Sequence, residues 1–181
     1  PDKIKNLLKE DCKVSVRESS KSKSKTYRFF TSKGGSIKNP LIEHLKDMNL
    51  YGKLSYNKFI PEAYFEGSFE QRLSLFQGLM DTDGTLSKSK GRSGDKSCFA
   101  NLSYSTSSKQ LSKDVQRLVW SIGGKAKISE RVPSYKNSDG EKTNGAISYN
   151  VRIKIPNPKQ AFSLPRKKDL ALSEKDYQYS N

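Results

Sequence analysis

Residues Leu75-Phe76-Gln77-Gly78-Leu79-Met80-Asp81-Thr82-Asp83-Gly84 run an apolar helical pattern directly into two acids and a glycine. Ser68 can cap this helix, and Gln71 three residues later completes a capping box. Leu73, Phe76, Leu79 and Met80 then recur at helical spacing. A helix patterned in this way buries one face, so it delivers Asp81 and Asp83 at the mouth of a packed element. Asp-Gly is also an ordinary turn dipeptide, and the two acids alone leave a surface turn and a functional pair equally open. Gly78 stands where a helix former would be more stable by roughly 1 kcal/mol. A glycine kept in mid-helix commonly lets another backbone come close.

The residue inventory narrows the chemistry. A chain of 181 residues with 33% hydrophobic content makes one or two small domains with little core to spare. Its formal net charge of +15, from 34 basic and 19 acidic residues, calls for a polyanionic partner. No apolar run approaches a membrane span and no secretory signal is evident, so an intracellular setting is expected, in cytoplasm or nucleus. Cys12 and Cys98 sit singly in strand-like alternations, as small core residues rather than a disulfide or metal site. His44 is the only histidine and lies in an ordinary helix expected over Pro40–Asn49, which argues against His-dependent nucleophiles and zinc. Any metal must be a hard cation on carboxylates, which points to Mg²⁺.

In chain order, Ile4, Leu7 and Leu8 give Asp2–Glu10 a helical face. Val14 and Val16 alternate with polar residues, a turn is expected over Glu18–Lys25, and a strand returns over Thr26–Ser32. Gly34 and Gly35 break this hairpin, and Asn39 and Pro40 open the next helix. Lys58 falls on a loop before Pro61–Phe65. After Gly84 the theme repeats, with a strand over Thr85–Ser87, a basic loop over Lys88–Ser97 and a strand through Leu102 and Tyr104. A helix from Ser108 carries Leu111, Val115, Leu118, Val119 and Ile122 on one face and stops at Gly123-Gly124. Strands through Ala126 and Ile128 and through Val151 and Ile153 flank a polar loop, Pro133–Gly145.

The expected class is α+β, with antiparallel sheets whose apolar face covers helices and whose other face is basic and amide-rich. A two-stranded ribbon fits the major groove of DNA, where Arg and Lys read guanine and Asn or Gln reads adenine. The candidates are Lys13, Arg17 and Arg28 on the first hairpin, Lys88, Arg92, Asn101 and Ser103 on the second, and Lys127, Arg131, Asn150, Arg152 and Lys154 on the last strands. Glu130 is the main acidic exception.

Lys58-Phe59-Ile60-Pro61, Ser68-Phe69-Glu70-Gln71-Arg72-Leu73 and Phe76-Gln77-Gly78-Leu79-Met80-Asp81-Thr82-Asp83-Gly84 together resemble the LAGLIDADG homing endonucleases, in particular the endonuclease domains of inteins. The resemblance continues through Tyr104–Leu111 and Ser121–Gly124 and fades near Leu164-Pro165-Arg166-Lys167-Lys168. Phe76 and Gln77 depart from the Leu and Ala of the family name, which makes the helix contact bulkier. The resemblance implies an antiparallel β-saddle with helices packed on one face. It implies a site-specific, Mg²⁺-dependent double-strand DNA endonuclease of the kind that carries out intron or intein homing. By the same resemblance the second acid, Asp83, is the metal ligand, Lys58 is catalytic, a further catalytic lysine is Lys167 or Lys168, and Asp81 ends the helix and supports the site.

The family has two pseudo-symmetric halves, each with a motif helix, and this sequence shows one. Residues 1–67 are then the remainder of a first half and 68–181 the second half. The expected partner, besides double-stranded DNA, is a complementary fragment carrying the first motif helix, in preference to a homodimer. A catalytically inactive or maturase-like domain, using the same saddle to bind nucleic acid, is the alternative.

Overall fold

The computed structural model describes residues 12–19, 22–31, 39–90 and 98–171. The helix expected over Asp2–Glu10, the Gly34-Gly35 break and Arg92 lie outside them. The chain divides into two compact units, residues 1–52 and 53–181.

In the first unit, β1 (Cys12–Ser19) pairs antiparallel with β2 (Ser22–Thr31), from Cys12 opposite Thr31 to Ser19 opposite Ser22. The strands run into the stretch expected as a turn, Glu18–Lys25, because it holds no Pro or Gly and its Ser-Lys alternation can continue the ladder. Helix α1 (Pro40–Asp47) follows, with Asn39 Oδ1 accepting from the Leu41 amide at 3.0 Å. His44 is exposed on it.

The second unit opens with 3₁₀ turns at Ser55–Asn57 and Glu62–Tyr64 and continues into α2 (Phe69–Thr82). The expected capping box is present: the Gln71 amide donates to Ser68 Oγ at 3.3 Å, and the Ser68 amide donates to Gln71 Oε1 at 2.8 Å. Then come β3 (Gly84–Lys90), β4 (Cys98–Thr106), α3 (Lys109–Ser121), β5 (Lys125–Arg131), β6 (Ser134–Lys136), β7 (Lys142–Asn144), β8 (Ser148–Lys154) and a single helical turn, α4 (Pro165–Lys168). The loop expected over Pro133–Gly145 is a small hairpin, β6 on β7, whose tip forms where Asn137 Oδ1 accepts from the amides of Asp139 and Glu141.

Among the described residues β3, β4, β8 and β5 form one antiparallel sheet in that order. Because side chains alternate along a strand, whole rungs share a face. Gly84–Tyr104–Val151–Ile128 and Leu86–Leu102–Ile153–Ala126 meet Phe76 and Met80 of α2 and Val115, Leu118 and Val119 of α3 in the core. The next rung, Thr85–Ser103–Arg152–Lys127, belongs to the opposite face. This is the expected mixed α+β arrangement, with helices on one face of an antiparallel sheet.

Candidate functional site

The end of α2 is shaped by its last four residues. Thr82 Oγ1 donates back to the carbonyls of Gly78 and Leu79, at 3.2 and 3.0 Å, and the Asp83 amide closes the last turn on Leu79 O at 3.0 Å. Asp83 is the C-cap, and its side chain is exposed. Gly84 must be glycine: a Cβ there would lie 2.6 Å from both the Cα and the carbonyl oxygen of Met80. The strand therefore leaves the helix by folding back against its last turn, with Asp83 at the bend. Opposite Gly84 in the ladder, the buried Tyr104 phenol is pushed up to about 12, first by burial and then by the Asp83 charge.

Asp81 faces a different task. Its carboxylate accepts from the Ser163 amide at 3.1 and 3.2 Å, from Ser163 Oγ and from the Leu164 amide at 3.3 Å. Those oxygens anchor the segment that leads into α4. From α4, Lys167 reaches back: Nζ donates to Met80 O at 2.7 Å and to Gly84 O at 2.9 Å, and sits 5.4 Å from the Phe162 ring centroid. A cation at a helix C-terminus answers the partial negative charge of its unsatisfied carbonyls. Asp81 and Lys167 thus latch α2 and α4 together from both sides, and Asp83 projects from the bend they hold. Lys168 is exposed on the same turn.

Lys58 is exposed, with backbone φ −70 and ψ 148. Pro61, with φ −57 and ψ 141, is likewise in extended backbone. Lys58 faces solvent while Ile60 enters the core. Helix α3 holds the segment: Ser108 Oγ donates to Lys58 O at 2.6 Å, and Asp114 Oδ2 accepts the Ile60 amide at 2.9 Å. Farther along, Arg117 pairs bidentately with Glu62 and stacks 4.1 Å from the Phe65 ring centroid, so the guanidinium holds the Glu62 carboxyl below its usual range. Sequence reasoning missed Ser108 and Asp114 as anchors of this segment. A signal existed, because Asp114 is an acid one position before Val115 on the apolar face of α3.

The polar face of the sheet forms an open groove of about 670 Å³ lined by Ser87, Asn101, Ser103, Lys125, Lys127, Asn150, Arg152 and Lys154, among others. It brings together six of the expected contact residues: Asn101, Ser103, Lys127, Asn150, Arg152 and Lys154. The lining holds four cations and no carboxylate. Glu130 pairs with Tyr149 in the ladder, which gives it the parity of Ala126 and Ile128 rather than of Lys127, so it does not interrupt the basic face. Asn150 Nδ2 donates to Ser105 Oγ at 3.0 Å, which orients its amide. Arg131 stands opposite Ser148 at the end of β5, outside the groove lining. Lys88 is opposite Ala100 in the β3–β4 ladder. In the separate first hairpin Lys13, Arg17 and Arg28 stand opposite Phe30, Thr26 and Ser15.

The stretch that holds the helix ending in an exposed acid and the sheet with one cationic face, residues 70–154, matches the family model of the LAGLIDADG-like domain. Over residues 70–154 the chain is therefore similar to the LAGLIDADG domains of the homing-endonuclease type, a family that binds nucleic acid. The match spans α2 to β8, so Lys58, Lys167 and Lys168 lie outside it. The chain is also 31% identical over 116 residues to a replicative DNA helicase DnaB of Rhodothermus marinus, covering 64% of this chain and 11% of that protein. It is 31% identical over 102 residues to the DnaB of Synechocystis sp., covering 56% and 11%, and 31% over 111 residues to that of Mycobacterium intracellulare, covering 61% and 16%. The chain thus matches only about a tenth of the length of the first of these relatives.

No helix among the described residues is long and apolar enough to cross a membrane.

Proposed function

We propose that this chain is the DNA-binding and catalytic part of a site-specific endonuclease that hydrolyses double-stranded DNA with Mg²⁺. The observation that carries the reading is the exposed Asp83 carboxylate, one residue before a strand whose sheet presents a carboxylate-free cationic groove. Matches to short stretches of long helicase chains support an inserted, intein-borne segment.

Mg²⁺ keeps several waters and is commonly held by one or two carboxylates together with substrate phosphate. Asp83 fits that donor set as one member. Asp81 is committed to Ser163 and Leu164, and no group of three or more acids, histidines or cysteines lies together among the described residues. When bound, the ion would supply charge stabilisation at phosphorus and an activated water. The chain's own residues do the rest. Asp83 presents its oxygens, Lys58 supplies a cation toward developing charge, Lys167 fixes the bend that aims Asp83, and Lys168 adds positive potential beside it.

The remaining acid comes from a second motif helix, on a complementary segment in preference to a second copy. The described residues leave room for it: nothing lies within 4 Å of where a Cβ on Gly78 would stand. Residues 1–67 and 68–181 are the proposed halves, with the Lys58 segment packed onto α3 of the second. Gly78→Ala is therefore expected to act with opposite signs. The isolated chain gains up to about 1 kcal/mol from better helix propensity, read by thermal unfolding. Assembly weakens by about tenfold or more, since an added methyl overpacks a close helix contact by ~1–3 kcal/mol. Unchanged self-association or fragment complementation would count against the bare face as the docking face.

Arg152→Ala is expected to weaken duplex binding by about 1–3 kcal/mol and to relax sequence preference at one position if the guanidinium reads a base. Were it to hold a phosphate instead, the loss would be uniform across sequences and the slope of log affinity against log salt would fall by about 0.9. The reading as an endonuclease is tested on a supercoiled plasmid library carrying randomised sites, with Mg²⁺. Linear product means a complete enzyme and nicking a half-site awaiting its partner. Binding without breaks, with or without the complementary segment, would favour a nucleic-acid-binding domain without catalysis.

A further inference from the structure

We infer that Asp114 and Ser108 are positioning residues that fix the catalytic lysine segment, acting through the main chain on either side of Lys58; the inference rests on the proposed role of Lys58. Asp114 is only 7% exposed and sits in the apolar face of α3, next to the fully buried Val115. A carboxylate is costly there unless its oxygens are satisfied, and both are: Oδ2 accepts the Ile60 amide at 2.9 Å and Oδ1 accepts from Gln110 Nε2 at 2.8 Å. Ile60 is itself a core residue, so this bond pins the chain two residues after Lys58.

Ser108 pins it from the other side. Its Oγ accepts from the Leu111 amide at 3.0 Å as the N-cap of α3, and the same hydroxyl donates to Lys58 O at 2.6 Å. The start of α3 and the backbone of Lys58 are therefore set by one atom. Neither residue is needed to make a helix of this sequence: an apolar residue at 114 would continue the buried face, and the N-cap requires only an acceptor. What the two add is a defined path for a short segment with no ladder of its own. The Lys58 side chain remains exposed at the end of that path, so the anchor restricts where its ammonium can reach without burying it.

The test compares Asp114→Leu, which removes both acceptors and keeps the branching at Cγ, with Asp114→Asn, which keeps an acceptor oxygen. In Asp114→Leu the Ile60 amide is expected to exchange with solvent at least about a hundredfold faster, while the Leu118 and Val151 amides keep their protection; Asp114→Asn retains protection at Ile60. On the plasmid library with Mg²⁺, kcat should fall about 10–100-fold in Asp114→Leu, with KM for DNA changed less than threefold, because a displacement of about 1 Å is costly to a reacting group. Asp114→Asn should restore most of the rate, and Asp114→Leu should add nothing in a Lys58→Met background. Unchanged exchange at Ile60, or losses that add in the double variant, overturns the inference. The exchange measurement needs no cleavage, so it decides the anchor even for a chain that waits on a partner. Lys58→Met cleaving at the wild-type rate would instead remove Lys58 from the reaction, a failure of the reading beneath.

Discussion

Asp83→Asn is expected to reduce Mg²⁺-dependent strand breakage at least about a thousandfold, a loss of roughly 4 kcal/mol of transition-state stabilisation. The substitution keeps the shape of the side chain and the cap of α2, which is made by the Asp83 main-chain amide on Leu79 O, so the fold should persist. It removes the anionic oxygen pair that a hard cation requires. DNA binding should stay within about threefold of wild type or tighten, because one negative charge leaves the surface proposed to face phosphates. Comparing breakage with affinity measured in Ca²⁺ or without metal separates the two effects. Equal cleavage by the variant would refute the role assigned to Asp83, whereas a parallel loss of binding would place Asp83 in support of the interface instead. Asp81→Asn should behave differently: its amide can still accept from Ser163 and Leu164, so cleavage should fall far less than in Asp83→Asn.

Gly84→Ala is expected to be the most damaging conservative change in the second unit. The new methyl would meet the Cα and carbonyl oxygen of Met80 at 2.6 Å, and the Met80 Cε at 2.7 Å. A flexible side chain can retreat, but backbone inside a helix that carries the core residue Met80 cannot do so without moving the core. About 3 kcal/mol of destabilisation follows, at the upper end of the overpacking range. That corresponds to a fall of very roughly 10 °C in Tm for a unit of this size. Lys167 would lose register with Gly84 O as the bend opens, so cleavage should suffer even at temperatures where the chain remains folded. A Tm within about 2 °C of wild type would show that the bend can yield. The contrast with Gly78→Ala is informative, since the two glycines stand six residues apart yet only one is crowded in the chain itself.

Much of this was legible in the sequence, and the reasons are local. Capping boxes, apolar spacing and glycine stops depend on residues three or four apart, so α2 and α3 could be placed from Ser68, Gln71, Ser108 and the Leu and Val positions between. Strand alternation likewise placed the core rungs of Tyr104, Val151 and Ile153 and the polar rung of Ser103, Arg152 and Lys127. Strand ends were less legible: Ser-Lys alternation reads as loop by composition but pairs as strand over Ser22–Lys25. The small hairpin within Pro133–Gly145 depends on the Asn137 side chain closing its own turn. The roles of the acids were split by long-range contacts that spacing cannot show. Asp81 meets Ser163, 82 residues away, and Asp114 meets Ile60, 54 residues away. The two late lysines differ in the same way: Lys167 reaches the end of α2, whereas Lys168 is exposed on the same turn.

The measurement closest to the central claim is a selection for binding from a randomised duplex DNA library at physiological ionic strength, run in parallel on wild type and Arg152→Ala. Such a selection needs neither cleavage nor a partner. If the cationic groove reads DNA, wild type enriches a related set of sequences, Arg152→Ala loses the preference at one position of that set, and the affinity of both falls steeply with added salt. Wild type that enriches nothing, or a variant that selects the same sequences with the same affinity, would contradict the assignment of the groove.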